Sequence, residues 1–114
     1  MAVDVRQKGK VSIVDVRGKL AVGEDQVQLR ETLKGLLAEG HRLFVFNLLN
    51  VPFMDSSGLG ETAACKMRVS RDDGTIKLVL HERSKVREIL KITGLDHAFE
   101  IYEDEGEALA SFIK

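Results

Sequence analysis

The feature that most restricts the fold is the run Leu43-Phe44-Val45-Phe46-Asn47-Leu48-Leu49, in which Asn47 is the only polar residue. A strand with one wet face alternates apolar and polar residues. A strand that is apolar almost throughout is buried on both faces, which usually means a parallel sheet covered by helices. The run continues through Asn50-Val51-Pro52-Phe53-Met54 into Asp55-Ser56-Ser57-Gly58-Leu59-Gly60, and then into Glu61–Val69, which reads as a helix. The junction is therefore a strand-to-helix turn with two hydroxyls and a carboxylate at the helix mouth. Unpaired backbone N–H groups and the positive end of the helix dipole gather there. Such a place suits an anionic group, including a phosphate carried on a serine.

The rest of the chain supplies the partners such a strand needs. Val3, Val5 and Gln7 alternate with charged residues as in a half-exposed edge strand, and Gly9 breaks the run before Val11–Arg17 resumes it. So short a connection implies an antiparallel hairpin. Leu29, Leu33, Leu36 and Leu37 form the stripe of an amphipathic helix, with Glu24 and Asp25 in its first turn and Gly40 placed to cap its end. Gly35 weakens that helix by about 1 kcal/mol relative to alanine. Downstream, Leu59, Ala63 and Met67 fall on one helical face, and Arg71–Gly74 reads as a turn. Thr75–Leu80 reads as a strand, and Ser84 opens a helix holding Val86, Ile89 and Leu90 that Gly94 stops. A short strand around Phe99–Ile101 precedes a last helix with Ala108, Leu109, Phe112 and Ile113. The order β-β-α-β-α-β-α-β-α predicts an α/β fold: a mostly parallel sheet of four to five strands, an N-terminal antiparallel hairpin and about four helices.

Size and charge narrow the function. At 114 residues the chain reads as a single domain spanning 1–114. A net charge of −1 gives no footprint for nucleic acid or for a polybasic membrane contact. The single cysteine, Cys65, allows no internal disulfide and fits a reducing interior. No signal core and no bilayer-length apolar segment are evident, so a soluble cytoplasmic protein without direct membrane insertion is expected.

Several segments together resemble the STAS family of bacterial anti-sigma factor antagonists. They are Val51–Gly60 after the buried strand, Gly23-Glu24 opening a helix with Leu29-Arg30-Glu31, Gly40-His41, and Leu95-Asp96 followed by Phe99–Tyr102. The resemblance implies a non-enzymatic, cofactor-free partner switch. The unmodified chain would bind an anti-sigma factor that is also a serine kinase, freeing a sigma factor. Phosphorylation of Ser56 would release the kinase, and a separate serine phosphatase would reset the cycle. Asp55, Ser56, Ser57, Gly58, Leu59, Gly23 and Glu24 would form the partner-binding surface. The same family resemblance implies an alternative, a STAS subunit or scaffold of a signalling complex or a membrane lipid-transport system.

Each candidate also has a plainer reading. Ser56 and Ser57 are both good N-caps; the cap reading leads for Ser57, and the family pattern favours modification for Ser56. Asp55 is either a cap or a group that positions the hydroxyl. Gly58 and Gly60 provide close backbone approach or simple turn chemistry. His81 is expected at the same sheet edge as Ser56, but a hydrolase triad lacks its nucleophile elbow and oxyanion loop. His41 is expected at the opposite edge, and His97 at the start of the last strand. Neither shares a metal-ligand spacing with Cys65, which reads as helix packing. Lys66, Arg68 and Arg71 read as a solvated basic face. A receiver-like domain phosphorylated on Asp55 would need an acidic pair after its first strand, where this chain has Lys8-Gly9-Lys10.

Overall fold

The computed structural model describes residues 1–113. Strands β1 (Ala2–Lys8), β2 (Val11–Arg17), β3 (Leu43–Asn50), β4 (Thr75–Val79) and β5 (Glu100–Tyr102) form one five-stranded sheet in sequential order. β1 and β2 are antiparallel, with Lys8 opposite Val11 across the Gly9-Lys10 turn, and β2 through β5 are parallel. The connections are helices α1 (Glu24–Ala38), α2 (Ser56–Arg71) and α3 (Lys85–Thr93). A 3-10 turn at Leu95–Ala98 precedes β5, and α4 (Glu105–Ala110) follows it.

The central run is apolar because both its faces are covered. Phe44, Phe46 and Leu48 face the larger core with Leu29 and Leu33 of α1, Cys65 and Val69 of α2, and Val86 and Leu90 of α3. Val45 faces the other way, into a smaller cluster with Ile13, Val79 and Ala108 of α4. The helix ends follow the local signals. Gly40 sits at φ 97°, its N–H reaching the Leu37 carbonyl while that of His41 reaches Leu36. This is the paired arrangement that satisfies the last carbonyls of a helix. Ser84 caps α3 through the Arg87 N–H, and Gly94 ends it in the left-handed region. Gly35 is exposed, with open space where a Cβ would stand.

Two expectations are corrected. The buried face of α2 does not continue from Leu59 to Ala63 and Met67; it runs through Gly58, Leu59, Glu61, Thr62, Cys65 and Val69, and Met67 is 66% exposed. His97 lies in the 3-10 turn before β5 and not at the start of that strand.

Glu61 is 3% exposed, yet it bridges two arginines. Its Oε1 accepts from Arg30 Nε of α1 at 3.0 Å, and its Oε2 accepts from Arg68 Nη1 at 2.8 Å. Burial by itself would raise the carboxyl; the Arg68 and Arg30 hydrogen bonds outweigh it and hold the group below its usual range. Burial, with the charge of Glu61, pushes the neighbouring Cys65 thiol up to about 12, which leaves it an inert packing group. On the opposite face Arg6 of β1 holds Asp15 of β2 at 2.6 and 2.9 Å and also binds Glu105 of α4, which secures the short last helix to the sheet.

A carboxylate held below its usual range contributes stability above that range and loses it as the pH falls through the lowered value. Glu61→Gln is therefore expected to be less stable than the wild type in urea near neutral pH. The gap should close as the solution is acidified below the ordinary carboxylate range, where the wild-type carboxyl at last takes up its proton.

Candidate functional site

The site is assembled by a continuation of the β2–β3 pairing past the end of the sheet. Gly18 N–H donates to the Asn50 carbonyl at 3.0 Å, and Leu20 N–H to that of Phe53 at 3.0 Å. Asp55 N–H returns a bond to the Leu20 carbonyl at 3.2 Å, around a parallel bridge between Leu20 and Met54. Both of these side chains are fully buried. Two loops from distant parts of the sequence thus meet at one corner. Gly58 is required there by close approach, not by its backbone angles, because a Cβ on it would stand 2.3 Å from the Leu20 carbonyl oxygen. Gly60 has open space in the same test and shows no such requirement.

Asp55 ties the corner together. It is the N-cap of α2, its Oδ1 accepting from Gly58 N–H at 2.9 Å. Its Oδ2 accepts from Val22 N–H of the other loop at 3.0 Å. These bonds, Gly58 first and Val22 second, hold the carboxyl below its ordinary range. The serine-cap expectation is corrected accordingly. Ser56 and Ser57 are the first two residues of α2, and the cap beside them is an aspartate. With the cap position taken, the Ser56 hydroxyl has no such duty and lies on an exposed residue; Ser57 is half-buried.

The surface around Ser56 is apolar at positions where a turn is usually polar. Val22 is 68% exposed and Phe53 is 46% exposed, one on each of the two joined loops. Gly23 and Glu24, at the entrance to α1, are exposed beside Val22. Gly23 takes φ 97°, which turns the chain into the helix. Gly58 and Leu59 are buried and act by seating the helix. The family resemblance implied that the loop around Val22-Gly23-Glu24 flanks the serine, whereas sequence reasoning overlooked Leu20 and the exposed side chain of Phe53. The available signal for Phe53 was an apolar residue standing next to a turn residue, Pro52.

Other candidates fall elsewhere. His81 is exposed and faces the Glu103 carboxylate at 3.7 Å, and among the described residues no hydrogen bond joins it to Ser56. Of the basic residues on α2, Arg68 is committed to Glu61, and Lys66 lies 6.0 Å from the centre of the Phe99 ring. Among the described residues no cluster of His, Cys, Asp and Glu could hold a metal, and no helix is long and apolar enough to cross a membrane.

The model of the STAS domain matches residues 2–108. This chain belongs to the STAS domain family. A solved anti-sigma factor antagonist from Mycobacterium paratuberculosis superposes with a TM-score of 0.84 at 24% identity, covering 99% of this chain and 94% of that one. The Bacillus cell fate determinant SpoIIAA, in its phosphorylated form, gives 0.72 at 20% identity over 97% and 99%. A sulfate transporter family protein from Wolinella succinogenes gives 0.69 at 20% identity over 91% and 85%. At these identities the likeness establishes a shared STAS fold, which hosts more than one function.

In this STAS domain the Gly58 contact is backbone against backbone and cannot be relieved by a rotamer change. Gly58→Ala should cost about 1–3 kcal/mol in urea unfolding. In hydrogen exchange the loss should appear first at the Val22 and Asp55 amides. Wild-type stability and unchanged protection at those amides would contradict the close-approach reading.

Proposed function

We propose that this STAS domain, acting as one unit over residues 1–114, is an anti-sigma factor antagonist that works by partner switching in the bacterial cytoplasm. The unphosphorylated chain binds an anti-sigma factor serine kinase and so frees a sigma factor. Phosphorylation of Ser56 ends that binding, and a serine phosphatase restores it. The chain contributes no catalysis and needs no cofactor. Asp55, Ser56, Ser57, Gly23 and Glu24, with Val22 and Phe53, form the contact surface, while Gly58 and Leu59 hold it in shape.

The observation that carries this reading is the exposed Ser56 at the first position of α2, at the corner where the loops that carry the exposed Val22 and Phe53 are joined. Such a surface favours a docked partner, and a charge on that hydroxyl is costly beneath one. A phosphate adds about −1.5 to −2 charges at neutral pH. In the free chain the helix mouth accommodates it, worth about 0.3–1 kcal/mol. Under a partner it must shed water beside the negative Asp55, and an unpaired buried charge costs several kcal/mol. About 1.4 kcal/mol is tenfold in affinity, so the docking penalty exceeds the local gain and ejects the partner without refolding.

The structural likeness to antagonists supports the role, and the likeness to a sulfate transporter family protein supports a second reading. In that reading the chain is a non-enzymatic STAS subunit of a transport or signalling assembly, with no phosphate turnover.

The test is to purify the chain with its cellular partners and add ATP. Mass spectrometry should find one acid-stable phosphate, on Ser56. Ser56→Ala should keep its kinase partner, and Ser56→Asp or Ser56→Glu should bind it at least about tenfold more weakly. Acidic variants that bind as well as the wild type, or a phosphate on Asp55, would overturn the antagonist reading.

A further inference from the structure

Away from the serine corner, the outward face of α2 and the 3-10 turn enclose a groove of roughly 480 Å³. Its apolar lining is Ala63, Met67, Leu95, Ala98 and Phe99. Met67 stands 66% exposed, whereas Leu59, Cys65 and Val69 of the same helix are buried, so an unbranched, adaptable side chain is left facing water. Lys66 and Arg71 also line the groove, Ser70 is the remaining polar residue in the lining, and no carboxylate lines it. The nearby acids are otherwise placed. Asp96 lies beside His97 at 3.8 Å, and Asp72 lines a neighbouring cavity with Lys34, Arg68 and Arg71, so that Arg71 borders both.

We propose that this groove is a second docking site, independent of Ser56, for an amphipathic helix of a protein partner that carries acidic residues beside its apolar stripe. The charge pattern selects the occupant. An apolar lining that also holds Lys66 and Arg71 complements a helix with carboxylates along the edge of its apolar face. The dimensions fit as well. From Ala63 to Arg71 the groove follows α2 for about 12 Å, a little over two helical turns, enough to seat anchors at i, i+4 and i+7. A small-molecule site would surround most of its ligand. This groove instead lies along a helix surface, with Met67 projecting into water, which suits a partner that lies across it. The site would let the chain hold a second protein whether or not Ser56 carries a phosphate.

A display library of random peptides of about 16 residues provides an unbiased probe. It is selected against the whole chain and counter-selected against Met67→Glu, whose exposed position allows it to fold; circular dichroism and the urea midpoint verify that it has. The inference expects enriched clones with apolar residues at helical spacing flanked by Asp or Glu. Their affinity should fall at least about tenfold on Met67→Glu and on the Lys66→Glu/Arg71→Glu double variant, and stay unchanged on Ser56→Asp. Enriched clones that lack acidic residues, clones that bind both groove variants as well as the wild type, or no enrichment would overturn it. So would dodecanoate occupying the groove, read from the Met67 methyl resonance, when selected peptides do not. None of these outcomes bears on whether Ser56 is phosphorylated.

Discussion

The contact on which the site depends is the approach of the Leu20 carbonyl to the first turn of α2. The parallel pairing of β2 and β3 does not stop at the sheet edge; it continues through the Leu20–Met54 bridge and delivers both following loops to one place. Only a residue without a Cβ allows the helix to begin so close to that carbonyl, and Gly58 is that residue. Asp55 then joins the two loops, using one carboxylate oxygen for the helix and the other for Val22. The result is a rigid corner whose outward side is a serine with an apolar side chain from each loop nearby.

That rigidity determines how a charge at Ser56 would act. A flexible loop could swing a phosphate away from an interface or fold it against a cation. This corner is held by backbone bonds from Leu20 and Asp55, and Arg68, a base of the same helix, is committed to the buried Glu61. The cap oxygens of Asp55 are already used, so a phosphate would add to the carboxylate and not replace it. In the proposed switch the modification changes what the surface repels and leaves the scaffold in place. Binding is then controlled by desolvation of charge at a fixed position.

Much of this was legible in the sequence where one local signal had one physical meaning. The double-sided apolarity of Leu43–Leu49 required cover on both faces, and the structure supplies α1 to α3 on one and α4 on the other. The leucine stripe of α1, the Gly40 and Gly94 stops and the Ser84 cap read directly. The capping residue of α2 did not, because Asp and Ser are nearly equal N-caps and Asp55, Ser56 and Ser57 are adjacent. The buried face of α2 misled for a different reason. Between Leu59 and Val69 its inward residues are small or polar, Thr62 and Cys65 with Glu61, whereas the apolar Met67 points out. A buried glutamate is readable only once Arg30 and Arg68 are known to meet it, and Arg30 comes from another helix. The bond from Arg6 to Glu105, 99 positions apart, is likewise a product of topology.

The central claim is that a phosphate on Ser56 alters the surface without reorganising the domain. The most direct measurement compares backbone amide chemical shifts of the isotopically labelled chain before and after stoichiometric phosphorylation of Ser56. The account predicts perturbations confined to the joined loops around Leu20–Glu24 and Phe53–Gly60. Shifts spreading through the sheet core at Val45 and Leu78, or along α1 to Leu33 and Leu37, would contradict it and point to a change of fold geometry instead.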